Sequence, residues 1–254
     1  MKKIIRIIFL SIIIVFAVGQ AANCQNSIKP ENSSAHINTY IEIRDTFLFN
    51  DENLLYMLIL PAKYSTSSAK WPLLLFLHGG SGRGENLDLV KNYGPPVYAE
   101  QQQDFPFVVL APQCPAGKNW TNTNTLASLL DTIIARYKID ADRVYLTGMS
   151  MGGYGAWNLA AAHPEYFAAV APIAAYETEP DKWAKYLIQI PIWVIHGDKD
   201  DLAPLEVDVK MVDALHALGA SPRFTILEGR DHYITDIYLN NDVYDWLLTF
   251  AKKH

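Results

Sequence analysis

The chain has 254 residues and carries a formal net charge of −6 at pH 7. Because phosphate neutralisation depends on clustered Lys and Arg, this charge and the lack of a basic run argue against a nucleic-acid-binding protein. The two cysteines, Cys24 and Cys114, are too few to predict a disulfide framework, and no spacing typical of a metal site occurs. We therefore expect neither a metal nor a cofactor.

The first 24 residues have the composition of a secretory signal peptide. Basic residues precede an apolar stretch at residues 7–18, and residues suited to cleavage follow. The sequence predicts a signal at residues 1–24, a polar tether at 25–39 and an exported domain at 40–254. An uncleaved anchor and a lipoprotein held through Cys24 are alternatives, although the apolar stretch is short for a bilayer span of about 20 residues.

Apolar runs of strand length alternate with helical patterns through the exported domain. The predicted strands are residues 40–49, 54–60, 73–77, 107–111, 144–147, 170–174, 192–195 and 224–227, and the predicted helices are 126–137, 154–162, 205–218 and 243–251. Such alternation is typical of an α/β fold with a mostly parallel sheet and helices on both faces. In sheets of this kind the ligand site lies at the carboxyl ends of the strands.

Residues 146–154 read Leu-Thr-Gly-Met-Ser-Met-Gly-Gly-Tyr and join a predicted strand to a predicted helix. A G-x-S-x-G sequence in this context predicts a nucleophile elbow, with Ser150 at the tip of a sharp turn. Glycines flank the serine because strand and helix cross there too closely for side chains. An ordinary glycine turn is the alternative interpretation.

A serine hydroxyl needs a base and an orienting carboxylate to act as a nucleophile at neutral pH. After the seventh predicted strand the chain reads His-Gly-Asp-Lys-Asp-Asp, and after the eighth it reaches His232. Both segments follow Ser150 in the order serine, acid, histidine. His232 is therefore the candidate base, with a solvated loop histidine as the alternative, and the acid is one of the aspartates at 198, 200 and 201.

The third predicted strand ends in His-Gly-Gly-Ser-Gly-Arg-Gly at residues 78–84. Glycines let backbone amides approach a substrate and face the charge that develops on a carbonyl oxygen. The loop therefore predicts an oxyanion hole, with Gly80 as one donor and Met151, which follows the nucleophile, as the other. We expect His78 to hold this loop. A phosphate-cradling loop, here without the Lys-Ser/Thr ending of a P-loop, and a plain flexible turn are the alternatives.

Together these segments resemble the successive signatures of the α/β-hydrolase superfamily, in particular its phospholipase/carboxylesterase-like, feruloyl-esterase-like and "predicted peptidase" hydrolases. The similarity runs from residue 40 to the C-terminus and includes Ala-Pro-Gln-Cys-Pro at 111–115, followed by Trp120. In such enzymes the acid loop commonly reads H-G-x-x-D-x-x-V-P, which assigns the acid to Asp200 and finds alanine where valine is usual. The resemblance thus implies the α/β-hydrolase fold and a triad of Ser150, Asp200 and His232.

The resemblance implies a secreted serine esterase that forms an acyl-enzyme and acts on small-molecule or carbohydrate-linked esters, such as acetyl or feruloyl esters. Trp120 is expected to stack on a sugar ring or an aromatic acyl group, with a core-covering role as the alternative. A serine peptidase of prolyl-oligopeptidase type would share the triad, but the propeller of those enzymes has no counterpart in this sequence. A non-catalytic binding protein on the same fold is the other alternative.

Overall fold

The strands of the structure form one eight-stranded sheet. A computed structural model of the chain describes residues 40–102 and 104–252, and the predicted signal and tether lie outside these residues. The strands are β1 (Tyr40–Phe49), β2 (Glu52–Pro61), β3 (Trp71–Leu77), β4 (Val108–Pro112), β5 (Ile139–Met149), β6 (Ala169–Ile173), β7 (Trp193–Gly197) and β8 (Arg223–Leu227). Their order in the sheet is β1-β2-β4-β3-β5-β6-β7-β8. The β1–β2 and β2–β4 pairs are antiparallel and the others parallel, which confirms the mostly parallel sheet.

Helices cover both faces of this sheet. They are α1 (Pro95–Gln101), α2 (Thr123–Arg136), α3 (Met151–Ala162), α4 (Pro180–Leu187), α5 (Glu206–Ala217) and α6 (Asp242–Leu248). The sequence interpretation missed α1 and α4, which have seven and eight residues. About two turns give a weak periodic signal, although α4 places Trp183, Ala184 and Leu187 on one face. The start signals were a proline in the first turn of each helix and, in α4, Asp181.

The continuous apolar run of β3 is explained by burial on both faces. Every residue from Leu73 to Leu77 is fully buried. Because side chains alternate along a strand, Leu73, Leu75 and Leu77 enter the layer that contains α2 and α3. Leu74 and Phe76 enter the opposite layer, which contains α1 and α6. A strand covered in this way shows no polar alternation in its sequence.

Parallel pairing places the candidate loops at one edge of the sheet. The segments that carry residues 78–84, Ser150, Asp200 and His232 follow β3, β5, β7 and β8 respectively, and these strands point the same way. Several predicted bounds were wrong. β6 ends at Ile173 because Ala174 has a φ of 43°, and α6 ends at Leu248. The strand predicted at 144–147 extends over Ile139–Met149, and the helix predicted at 154–162 begins at Met151. Within residues 40–102 and 104–252, no helix is long and apolar enough to cross a membrane.

Candidate active site

Ser150 adopts a strained backbone conformation between β5 and α3. Its φ is 59° and its ψ is −117°, a region that residues with a side chain rarely occupy and that costs about 1–3 kcal/mol. Two hydrogen bonds hold it there. The Ser150 N–H donates to the carbonyl of Ile173 over 2.9 Å, and the Ser150 carbonyl accepts from the Tyr154 N–H over 3.0 Å. The turn predicted from the G-x-S-x-G sequence is therefore present.

Gly152 allows β3 and α3 to approach each other directly beside this turn. A Cβ on Gly152 would lie 1.7 Å from the Leu77 carbonyl oxygen, far inside van der Waals contact. The glycine is thus required by the close crossing of strand and helix. This crossing brings the end of β3, and the glycine loop that follows it, against the turn that carries Ser150.

Ser150, His232 and Asp200 form one chain of hydrogen bonds. The Ser150 Oγ lies 2.9 Å from His232 Nε2, and His232 Nδ1 lies 2.7 Å from Asp200 Oδ2. The other carboxylate oxygen of Asp200 accepts from the backbone N–H groups of Leu202 and Ala203 at 3.0 and 2.7 Å. Because an ionised carboxylate only accepts, His232 Nδ1 carries the proton and Nε2 is left to accept the serine hydroxyl.

The neighbouring aspartates of the acid loop face elsewhere. Asp198 Oδ1 accepts from the Gly229 N–H over 2.6 Å, and Asp201 is exposed to solvent. Asp200, by contrast, is 8% exposed, as is His232. Asp200 is therefore the aspartate of this loop that reaches His232.

The glycine loop after β3 lies against the candidate nucleophile. A Cβ on Gly79 would be 3.5 Å from the Ser150 Cβ. The Gly79 N–H donates to the Tyr93 hydroxyl over 2.6 Å, and burial raises the pKa of Tyr93 to about 12, so the phenol keeps its proton. In the part of the chain that the structure describes, the N–H groups of Gly80 and Met151 have no protein acceptor. Met151 also begins α3, where the helix dipole is positive.

His78 holds the glycine loop and is neutral. Its Nδ1 lies 2.6 Å from the Gly79 carbonyl, and its Nε2 accepts from the Cys114 N–H over 3.0 Å. One acceptor and one donor as partners fix a neutral tautomer with the proton on Nδ1. Burial lowers the pKa of His78 to about 4, which agrees with that assignment.

The position of Trp120 favours the core-covering alternative over stacking on substrate. Trp120 is 3% exposed, its Nε1 donates to the His78 carbonyl over 2.9 Å, and its ring lies edge-to-face against the His78 ring at 5.0 Å. These contacts support a core-covering role, although Trp120 also lines a cavity beside the loop that follows β4, so stacking on substrate stays a prediction. The sequence indicates that Trp120 lies in the loop after β4, but it contains no signal for the orientation of the indole ring.

Tyr233 is the exposed aromatic side chain beside the candidate base, and sequence reasoning missed it. It is 70% exposed, and its ring meets the His232 ring edge-to-face with 5.9 Å between centroids. The available signal was an aromatic residue in a polar loop, immediately after the candidate histidine. Its ring offers an apolar face and a polar hydroxyl next to the candidate base.

Sequence reasoning also missed a buried ion pair behind the acid. His196 Nδ1 lies 2.8 Å from Asp208 Oδ2, and both side chains are fully buried. In the sequence His196 forms part of the acid-loop signature, and Asp208 falls within the predicted helix 205–218. The signal for Asp208 was a carboxylate at helical spacing on the apolar face formed by Met211, Val212 and Leu215.

A cavity of about 330 Å³ opens beside the loop that follows β4. Tyr56 of β2 pairs with Pro112 of β4 in antiparallel register, so the start of β2 lies at the same sheet edge as Ser150. Carboxylate, amide and hydroxyl groups line the cavity together with a few apolar side chains. The lining includes Glu52, Asn53, Leu54, Asn119, Thr121 and Leu126.

Comparison with known proteins identifies the family. The model of a family described as "Putative esterase" matches residues 51–228. The chain belongs to this esterase family. The match includes Ser150 and Asp200 but ends before His232, so the contact of His232 with both residues is an independent observation.

This esterase is similar to curated relatives over part of its length. It is 30% identical to "Putative esterase NocK" of Nocardia uniformis subsp. tsuyamanensis over 149 residues, and this alignment covers 53% of this chain and 42% of the relative. It is 27% identical to acetylxylan esterase A of Emericella nidulans over 134 residues, and this alignment covers 47% of this chain and 41% of the relative. The chain thus spans about two fifths of the length of these relatives.

Solved structures show the same α/β-hydrolase architecture. The crystal structure of a thermostable esterase is 29% identical, with a TM-score of 0.76 over 85% of this chain and 64% of the other. A ferulic acid esterase, at 19% identity, has a TM-score of 0.64 over 82% of this chain and 96% of the other. At that lower identity the likeness concerns the fold alone.

The Trp120→Phe substitution tests the position of this side chain. It removes the donor to the buried His78 carbonyl, and we expect it to lower the free energy of unfolding by about 1–3 kcal/mol in urea titrations. It should also slow the hydrolysis of a sugar-linked ester and a simple acetate ester by the same factor, because it acts through the glycine loop. Trp246→Phe, in the opposite apolar layer, is the matched control. A loss confined to the sugar ester would instead support the stacking role.

Proposed function

We propose that this esterase hydrolyses carboxylic esters through an acyl-enzyme on Ser150. The observation that carries the proposal is the continuous hydrogen-bonded chain from Asp200 through His232 to the Ser150 hydroxyl. A serine alone is a weak nucleophile at neutral pH, and this arrangement supplies the neutral imidazole that can take its proton.

In the proposed reaction His232 Nε2 takes the Ser150 proton as Oγ bonds to the ester carbonyl carbon. The carbonyl π electrons move to the oxygen, where the N–H groups of Gly80 and Met151 stabilise the negative charge. As the tetrahedral intermediate collapses, the bond to the alcohol oxygen breaks and the imidazolium gives its proton to that oxygen. Water then repeats the sequence on the acyl-enzyme and releases the acid. Throughout, Asp200 stabilises the imidazolium.

The amides of Gly80 and Met151 are suited to the oxyanion role because the protein leaves them without other acceptors. A donor that already served a structural bond could not respond to the developing charge without losing that bond. Removal of one such donor typically costs about 3 kcal/mol of transition-state stabilisation. The start of α3 adds a favourable dipole at the same place.

For the substrate class we propose esters carried on carbohydrate, such as acetyl or feruloyl esters. The relative from Emericella nidulans is named as an acetylxylan esterase, and one structural neighbour is named as a ferulic acid esterase. Two features of this chain support the same class. Tyr233 offers an exposed ring beside His232, and the cavity at the start of β2 has the amide and hydroxyl lining that suits a hydroxyl-rich alcohol.

We further propose that the esterase acts outside the cytoplasm. The proposal rests on the basic, apolar and small-residue pattern of residues 1–24, followed by the polar residues 25–39. Cleavage of this signal would release the domain that begins near residue 40. Attachment of a lipid to Cys24 is the alternative outcome of processing, and it would keep the same domain at a membrane surface.

The central experiment compares ester and amide turnover in the parent with that of Ser150→Ala. We expect the parent to hydrolyse an acetyl ester and to leave a matched peptide amide intact. The Ser150→Ala variant should lose about 10⁶-fold in kcat, because no other side chain replaces the nucleophile. Chromogenic assays with matched leaving groups provide the rates.

Circular dichroism of the Ser150→Ala variant controls for misfolding, and a parent-like spectrum is expected. Retention of more than about one hundredth of the parent rate, with contaminating esterase removed, would exclude Ser150 as the nucleophile. Preferential cleavage of the amide would instead assign the chain to the peptidases.

Substitution of Tyr233 tests the substrate class. Tyr233→Ala should raise KM for an acetylated xylo-oligosaccharide about 10-fold, since stacking on one sugar face is worth about 1.4 kcal/mol. It should leave KM for a minimal acetate ester nearly unchanged. Tyr186→Ala, which removes another exposed tyrosine on α4, is the control. Equal effects of Tyr233→Ala on both esters, or a parent preference for long-chain acyl lipids, would refute the carbohydrate proposal.

A further inference from the structure

A second buried set of charged groups lies directly behind Asp200. His196 of β7 places its Nδ1 2.8 Å from Asp208 Oδ2 and its Nε2 2.7 Å from the Ala203 carbonyl oxygen. The same Nε2 is 3.3 Å from Asp200 Oδ2. The side chains of His196, Asp200 and Asp208 have no exposed area, so solvent supplies no partner to any of them.

The hydrogen-bond partners of His196 determine its charge. A carbonyl oxygen and an ionised carboxylate can only accept hydrogen bonds. A neutral imidazole has a single N–H, so one of its nitrogens would turn a lone pair towards an acceptor less than 3 Å away. With Asp208 ionised, His196 therefore carries protons on both nitrogens. His78 differs because the Cys114 N–H donates to one of its nitrogens.

The electrostatic surroundings of His196 favour the same charge state. Burial lowers the pKa of His196, but the hydrogen bond and charge of Asp208, the Ala203 carbonyl and the charge of Asp200 together raise that pKa above its ordinary value. These groups come from α5 and from the loop after β7. His232 contacts the same Asp200 oxygen, Oδ2, through its Nδ1 at 2.7 Å.

Asp208 is fixed by three different elements. Besides the His196 ring of β7, its carboxylate accepts from Trp157 Nε1 on α3 over 2.9 Å and from the Ala175 N–H after β6 over 3.3 Å. The helix that begins beside Ser150 and the strand that leads to the acid loop thus meet at one carboxylate. A change at Asp208 is therefore transmitted to both.

The positive charge of His196 has two consequences, one for Asp200 and one for His232. Two carboxylates on opposite sides of a neutral ring would repel each other in this buried environment, and one of them would take up a proton. An imidazolium between them allows both to remain ionised. The same positive charge opposes protonation of His232, because both rings contact the Oδ2 atom of one carboxylate and therefore lie close together.

We propose that His196, held as an imidazolium by Asp208, is a positioning residue that keeps Asp200 ionised and aligned with His232 and extends the use of His232 as a base to lower pH. This role deepens the proposed esterase mechanism, and its kinetic test rests on that mechanism. His196 itself touches neither the substrate nor the reacting atoms.

The charge state can be read in the parent protein without any substitution. In the ¹⁵N-labelled protein at pH 8, NMR correlation of the ring nitrogens with their carbon-bound protons distinguishes an imidazolium from a neutral imidazole. We expect both nitrogens of His196 to show the shift of protonated nitrogen, and one nitrogen of His78 to show the shift of a bare acceptor. A bare nitrogen on His196 at this pH would overturn the proposal.

Asp208→Asn tests the effect on His232. The asparagine preserves the shape of the side chain, and its amide can donate to Nδ1 of a neutral His196 while Nε2–H still reaches Ala203. We expect the acid limb of kcat/KM to move to higher pH by roughly half a unit or more, because His232 is then protonated more easily. Asp213→Asn, at an exposed position of the same helix, should leave the limb in place.

The pH limb separates an electrostatic role from a merely structural one. If Asp208 only supported packing, Asp208→Asn would lower stability and leave the acid limb where it is in the parent, which would overturn the proposal. Should this variant not fold, the double substitution His196→Gln with Asp208→Asn removes both charges and should give the same shift. A parent without ester hydrolysis would refute the proposed function alone, since the NMR measurement needs no substrate.

Discussion

The backbone conformation of Ser150 is the constraint on which the rest of the site depends. A positive φ at a residue with a side chain is unfavourable, and it persists here because the Ile173 carbonyl and the first turn of α3 hold it. The sharp turn requires β3 and α3 to cross at contact distance, which Gly152 permits. That crossing in turn brings the glycine loop beside the serine. The strained turn at Ser150 and the crossing that it requires therefore fix the positions of both the candidate nucleophile and the candidate oxyanion donors.

Three buried histidines differ in charge because their partners differ. His78 contacts one acceptor and one donor and is neutral, which suits a residue that only braces the glycine loop. His232 donates to Asp200 and offers its other nitrogen to Ser150, as a general base must. His196 faces two acceptors, so it is cationic. In the proposed mechanism the negative Asp200 thus contacts one imidazole that takes the serine proton and another that keeps Asp200 ionised.

Much of the fold and part of the site could be predicted from the sequence. The inner strands could be predicted because burial on both faces produces continuous apolar runs in the sequence. The order of the motifs identified the loops that carry Ser150, Asp200 and His232. The orientation of Trp120 could not be predicted, since it depends on a hydrogen bond to the His78 carbonyl in the loop after β3. The Asp208–His196 pair was equally hidden, because its partners lie 12 positions apart and meet only after folding.

Covalent labelling tests the central claim most directly. A fluorophosphonate reacts with an activated serine hydroxyl and leaves a stable adduct whose site mass spectrometry can map. We expect one adduct per chain, on the peptide that contains Ser150, no adduct in Ser150→Ala, and labelling that slows as the pH falls and His232 is protonated. A folded parent that takes up no label, or that is labelled at another serine, would contradict the proposed nucleophile.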